Sequence, residues 1–147
     1  MKALCVIAIT ATFCGAASAA GPFDQFKGKM KAGLYEYKMD MEIPGVPAQF
    51  GKQSMTMQHC VTEKDIEGGD WQKNKQQSKC DFTDVKMSGN TATYKMVCKG
   101  ESQMTADTRM SFRDNGFVSD TRMTMNHGGQ VMTSNQHMEG RYLGACK

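Results

Sequence analysis

The chain lacks the short motifs that announce a familiar chemistry. It has no Gly-x-Ser-x-Gly turn, no His-Glu-x-x-His pair and no phosphate loop closing on Gly-Lys-Ser or Gly-Lys-Thr. Nothing in its residue order therefore places a nucleophile, a metal-bound water or a nucleotide. It has only 3 histidines, and their positions suggest no triad with a serine and an acid. Charge of one sign is also missing. The formal net charge is +3, acids and bases are interspersed, and no basic run is interleaved with aromatics. That leaves no electrostatic footprint for nucleic acid. Beyond the N-terminus there is no apolar run long enough to span a bilayer, so no stable membrane span is expected. No repeat of 20–50 residues is evident either. Catalysis is not expected from this sequence.

What is present begins with a leader. Lys2 gives a positive start, Ala3 to Ala11 is apolar, and Ala17-Ser18-Ala19-Ala20 is a run of small residues. This is the pattern of a secretory signal peptide, cleaved after Ala19 or Ala20. Phe13 is bulky where lipid attachment at Cys14 would want a small residue. Residues 1–20 are thus expected to be removed, leaving residues 21–147 as a single β domain. Its length suffices for one core. Removal also takes away Cys5 and Cys14, so 6 cysteines become Cys60, Cys80, Cys98 and Cys146. An even set in an exported chain reads as two disulfides in an oxidising compartment.

The mature chain alternates. Tyr35, Tyr37, Met39, Met41 and Ile43 interleave with Glu36, Lys38, Asp40 and Glu42, which predicts a strand over 33–43. Pro44-Gly45-Val46-Pro47 stops it. A second strand is expected over 52–60. One short helix follows Cys60, with Thr62 as its cap and Asp65 at the third position. Residues 71–79 read as a polar loop. Further strands are expected over 101–113, 117–126 and 130–139, separated by Asp114-Asn115-Gly116 and His127-Gly128-Gly129, with residues 140–147 as a tail. Phe23, Phe26 and Met30 suggest a short amphipathic turn ahead of the first strand. About seven strands with short turns give an all-β fold, a single antiparallel meander in a strongly curved sheet or open barrel. Acids such as Asp40, Glu42, Asp84 and Asp107 fall on the alternating polar positions and read as solvated surface.

Cys80 to Cys98 reads as a hairpin around Ser88-Gly89-Asn90. A three-residue loop sets Cys80 opposite Cys98, Phe82 opposite Met96, Asp84 opposite Tyr94 and Lys86 opposite Ala92, with Val85 and Met87 on the other face. Opposed positions in such a ribbon are close enough for a disulfide. Cys80–Cys98 is therefore favoured, leaving Cys60–Cys146. Cys60–Cys80 with Cys98–Cys146 stays open as the rival.

Several stretches together resemble a secreted bacterial family, that of domain of unknown function 3617. They are Gly33-Leu34-Tyr35-Glu36, Met39 to Gly45, Gln58-His59-Cys60-Val61-Thr62, Cys80 with Ser88 to Thr91, Val97 to Gly100, Met123-Thr124-Met125 and Gly140 to Cys146. The resemblance implies a small exported domain, periplasmic in a Gram-negative bacterium, with no established activity and no catalytic residues to carry over.

Methionine is abundant, at 14 residues. Two runs extend to Met-x-Met-x-His: Met55, Met57 and His59, and Met123, Met125 and His127. Alternation puts each set on one strand face. Thioether and imidazole ligands suit Cu(I) where cysteines are already bridged. The plainer reading is core packing by a flexible filler, with no cofactor at all. A third reading uses the curvature: a sheet lined by Met, Phe and Tyr could carry a small apolar ligand. The expected function is accordingly a non-catalytic binding or structural domain of the cell envelope, with Cu(I) binding or apolar-ligand carriage as alternatives, and an unidentified envelope partner.

Overall fold

The computed structural model describes residues 26–66, 79–100 and 102–147. Seven antiparallel strands form one sheet: β1 (Gly33–Glu42), β2 (Lys52–Val61), β3 (Cys80–Ser88), β4 (Thr91–Cys98), β5 (Ser102–Arg113), β6 (Gly116–His127) and β7 (Gln130–Gly144). Their spatial order is β2-β1-β7-β6-β5-β4-β3. The meander thus runs unbroken from β3 to β7, and the last strand then pairs with the first. β2 and β3 form the two edges and do not pair with each other, so the sheet is not closed into a barrel.

Two one-turn helices flank β2. α2 (Glu63–Ile66) follows Cys60 as expected, and its cap is reciprocal. The Thr62 backbone N–H donates to Asp65 Oδ2 at 2.7 Å, while the Asp65 N–H donates to Thr62 Oγ1 at 3.2 Å. This satisfies orphan donors of the first turn and holds the Asp65 carboxyl below its ordinary pKa. α1 (Ala48–Gly51) is additional, lying after the Pro44–Pro47 break. The expected loop over 71–79 lies outside the described residues apart from Lys79.

Register divides the side chains cleanly. Tyr35, Tyr37, Met39 and Met41 of β1 face the same way as Phe117 of β6, Phe112 of β5 and Ala92 of β4. This apolar face holds the core: Tyr35, Ala92, Ala106, Phe112 and Phe117 are all buried. Phe26 and Met30, ahead of β1, pack onto it. The Phe26 ring lies 5.8 Å from that of Phe112 and 6.1 Å from that of Tyr94. Burial there raises the Tyr94 pKa. Tyr35 Oη donates to the Lys31 carbonyl at 3.0 Å, tying the lead-in to the sheet.

The strand over 130–139 continues to Gly144, so the expected tail from Gly140 is largely sheet. Gly140 sits between Tyr37 and Phe117 in the ladder, and a Cβ there would lie 2.4 Å from the Phe117 ring. The glycine makes room for an aromatic ring on the neighbouring strand.

Both disulfides are Cys60–Cys146 and Cys80–Cys98, and the rival pairing is excluded. The β3–β4 hairpin differs from the expected register at its tip. Ser88 pairs with Thr91 around a two-residue turn, Gly89-Asn90, with Gly89 at φ 58°. Met87 therefore pairs with Ala92 and Lys86 with Thr93, while Cys80–Cys98 and Phe82–Met96 keep the expected pairing. A bulge between Thr83 and Lys86 absorbs the extra residue, with Asp84 at φ 54°. The cause is burial. The slip sends Met87 to the core, where it packs beside Ala92, and turns Lys86 to the polar side.

Candidate functional site

The opposite face carries the charge, because most of the alternate residues on that side of the strands are charged or polar, with Leu34, Val97, Val118, Val131 and Leu143 among the exceptions. Among the described residues a cavity of about 860 Å³ is lined by residues of all seven strands. The lining follows three successive cross-strand rows. One row runs through Asp40, His137, Asp120 and Arg109. A second runs through Glu42, Asn135, Arg122, Asp107 and Lys95. The row between them, Gln53, Met41, Gln136, Thr121, Thr108 and Tyr94, also lines the cavity and separates the two. Because both outer rows project from the polar face, and the apolar-face rows beyond them, with Met39 and Met138 on one side and Met123 and Met96 on the other, are absent from the lining, the trough opens on the polar side.

Its charges balance. Lys52, Lys86, Lys95, Arg109 and Arg122 stand against Asp40, Glu42, Asp84, Asp107 and Asp120. They are not evenly paired, however. Lys52 Nζ lies 3.6 Å from Glu42, and Lys95 Nζ 3.4 Å from Asp107. Ser54 Oγ donates to Asp40. On the other side, Asp120 Oδ1 is 2.6 Å from His137 Nδ1, and His137 Nε2 is 3.7 Å from Glu139. The hydrogen bond to Asp120 raises the His137 pKa above its ordinary value, with Glu139 adding to the effect. Both central carboxylates are thus engaged outward, by Lys95 and by His137.

Arg109 and Arg122 are left between them. Arg109 faces Asp120 and Arg122 faces Asp107 in the ladder, yet neither guanidinium has a hydrogen bond or ion pair among the described residues. They stand on adjacent strands as diagonal neighbours, a spacing of about 7–8 Å between such positions. Two planar forks at that separation can hold one carboxylate or phosphate between them. Alternation alone marks these residues as a polar face; their pairing pattern needs the register of three strands.

The methionine sets fall on the apolar face. Met55, Met57 and His59 lie on edge strand β2, with Met55 and Met57 about half exposed at 45% and 50%. Met123, Met125 and His127 lie on β6, three strands away. The row of Met55 continues through Met39 and Met138 to Ser119, whereas Met123 faces Ser134 and Met125 faces Met132. The structure therefore holds the two sets apart, at different levels of the sheet. It creates instead two rows of three thioethers, Met55–Met39–Met138 and Met104–Met125–Met132. Sequence spacing shows the within-strand Met-x-Met pairs but not these cross-strand rows. Among the described residues no group of three or more His, Cys, Asp and Glu is placed to hold a metal ion.

Fold and site together define a class: an open, disulfide-stapled antiparallel sheet with one packed face and one charged trough. The family model for DUF3617, a protein of unknown function, matches residues 30–146, and the chain belongs to that family. Comparison with curated proteins and with solved structures finds no match. No helix among the described residues is long and apolar enough to cross a membrane.

Proposed function

We propose that this chain is an exported, non-catalytic binding domain of the cell envelope, and that its charged trough receives a small ligand bearing a carboxylate or phosphate. The observation that carries the reading is the pair Arg109 and Arg122, without a partner among the described residues, in the lining of a cavity of about 860 Å³. That volume falls in the range of small-molecule sites. Export is supported by the leader pattern before residue 21 and by the two disulfides. A polar ligand is favoured over an apolar one because the trough is walled by charged rows, while the apolar face is partly filled by Phe26 and Met30. Calorimetric titration with citrate and with inorganic phosphate tests this. Binding that disappears in the double variant Arg109→Ala, Arg122→Ala supports it. Neither anion binding, or binding untouched by that variant, overturns it.

A second reading rests on the Met55–Met39–Met138 row. Three thioethers on adjacent strands offer soft ligands of the kind Cu(I) takes. Competition against a chromogenic Cu(I) chelator tests it: Met55→Leu with Met138→Leu would abolish copper retention, and an unloaded wild type ends the idea.

A further inference from the structure

The two edges of the sheet are built differently. β3 carries Asp81, Asp84 and Lys86 and is broken by the bulge at Asp84. Charges and bulges are the devices by which sheet edges avoid pairing with other chains. β2 has neither. From Gln53 to Val61 it contains no charged residue and no proline, and its pairing with β1 runs ten residues without a register shift. Every residue from Lys52 to His59 is exposed.

The direction of its free groups follows from one contact. The Ile43 N–H donates to the Gly51 carbonyl at 2.8 Å, in register with the β1–β2 ladder. Hydrogen-bonded pairs alternate in an antiparallel ladder. The odd residues of β2 therefore bond inward to β1. The N–H and C=O of Lys52, Ser54, Thr56, Gln58 and Cys60 point outward, and among the described residues no strand takes them.

We propose that this edge pairs with β2 of a second copy of the chain, antiparallel, about a two-fold axis through Thr56. The occupant is identified by self-complementarity. With Thr56 opposite Thr56, Ser54 meets Gln58 and Lys52 meets Cys60, so the outward-pointing groups meet one another. Met55 of each copy meets Met57 of the other, covering two of the most exposed methionines on one face. No charged residue lies opposite another of like sign. Lys52 ends the ladder close to the turn where the second copy carries Glu63 and Asp65. Phe50, 69% exposed, comes opposite Thr62 of the second copy, just beyond the paired residues. The result is one continuous sheet of fourteen strands with the two troughs on its same side. The inference does not depend on what the trough binds.

Sedimentation velocity of the purified chain tests it with two single variants, Thr56→Lys and Thr56→Glu. Position 56 is exposed on the polar face, so circular dichroism of both should match wild type. The wild type is expected to sediment at twice the monomer mass at micromolar concentration. Each variant alone places like charges on the axis and should give monomer, and an equimolar mixture of the two should restore the double mass. A monomeric wild type overturns the proposal, and leaves the edge to a strand from another protein. A dimer indifferent to both variants overturns it as well.

Discussion

The two faces of this sheet come from the same strands, residue by residue, and do opposite things. On one, Tyr35, Ala92, Ala106, Phe112 and Phe117 are buried with Phe26 and Met30 laid over them. On the other, Arg109, Arg122, Asp107 and Asp120 remain exposed around a cavity. Stability should therefore reside on one side and recognition on the other. A period of two is enough to separate them, because a strand has no third direction in which to put a side chain. The bulge at Asp84 shows how strictly the separation is kept. The ladder is locally broken so that Met87 reaches the core and Lys86 the trough.

Four substitutions probe that division, beginning with the largest effect. Phe117→Ala removes a ring in contact with Tyr35 and Tyr37 and directly opposite Phe112. Denaturant unfolding should show a loss of about 3–5 kcal/mol. Gly140→Ala forces a methyl group into that same ring, and should cost about 1–3 kcal/mol by overpacking. A glycine on a strand tolerating alanine would mean the face is less tightly packed than described. The double variant Arg109→Ala, Arg122→Ala should change stability by no more than about 0.5 kcal/mol for each exposed residue while abolishing citrate binding.

The smallest effect is a pH dependence. His137 has its pKa raised by Asp120. Its contribution to stability is complete below the unfolded value and is lost as pH rises through the folded one. Its exposure makes that contribution small. Its effect on the trough should be easier to read. Protonation makes the balanced lining net positive, so citrate affinity should fall as pH rises through the His137 titration. His137→Gln should flatten that part of the profile.

Much of this was legible before the fold. Alternation located the strands, the Thr62–Asp65 cap located α2, and the hairpin cysteines located one disulfide. What escaped has physical reasons. α1 is a single turn, too short to show a helical period. Gly140 reads as a strand end, yet it serves the Phe117 ring across the ladder. The hairpin tip was misplaced because a bulge leaves only a faint trace, the switch of apolar parity between Phe82 and Met87. The β1–β7 pairing links segments about a hundred positions apart, which no local pattern encodes. The charged trough and the thioether rows depend on that pairing and on its neighbours, so their residues were visible while their grouping was not.

The central claim is that recognition belongs to the charged face. The most direct measurement is a citrate titration followed by NMR, recording arginine Nε–H and methionine methyl resonances in the same sample. The account predicts that the Arg109 and Arg122 signals move together and saturate, while the methyls of Met55, Met57 and Met132 stay still. Methionine signals that move while both arginines remain unchanged would contradict it.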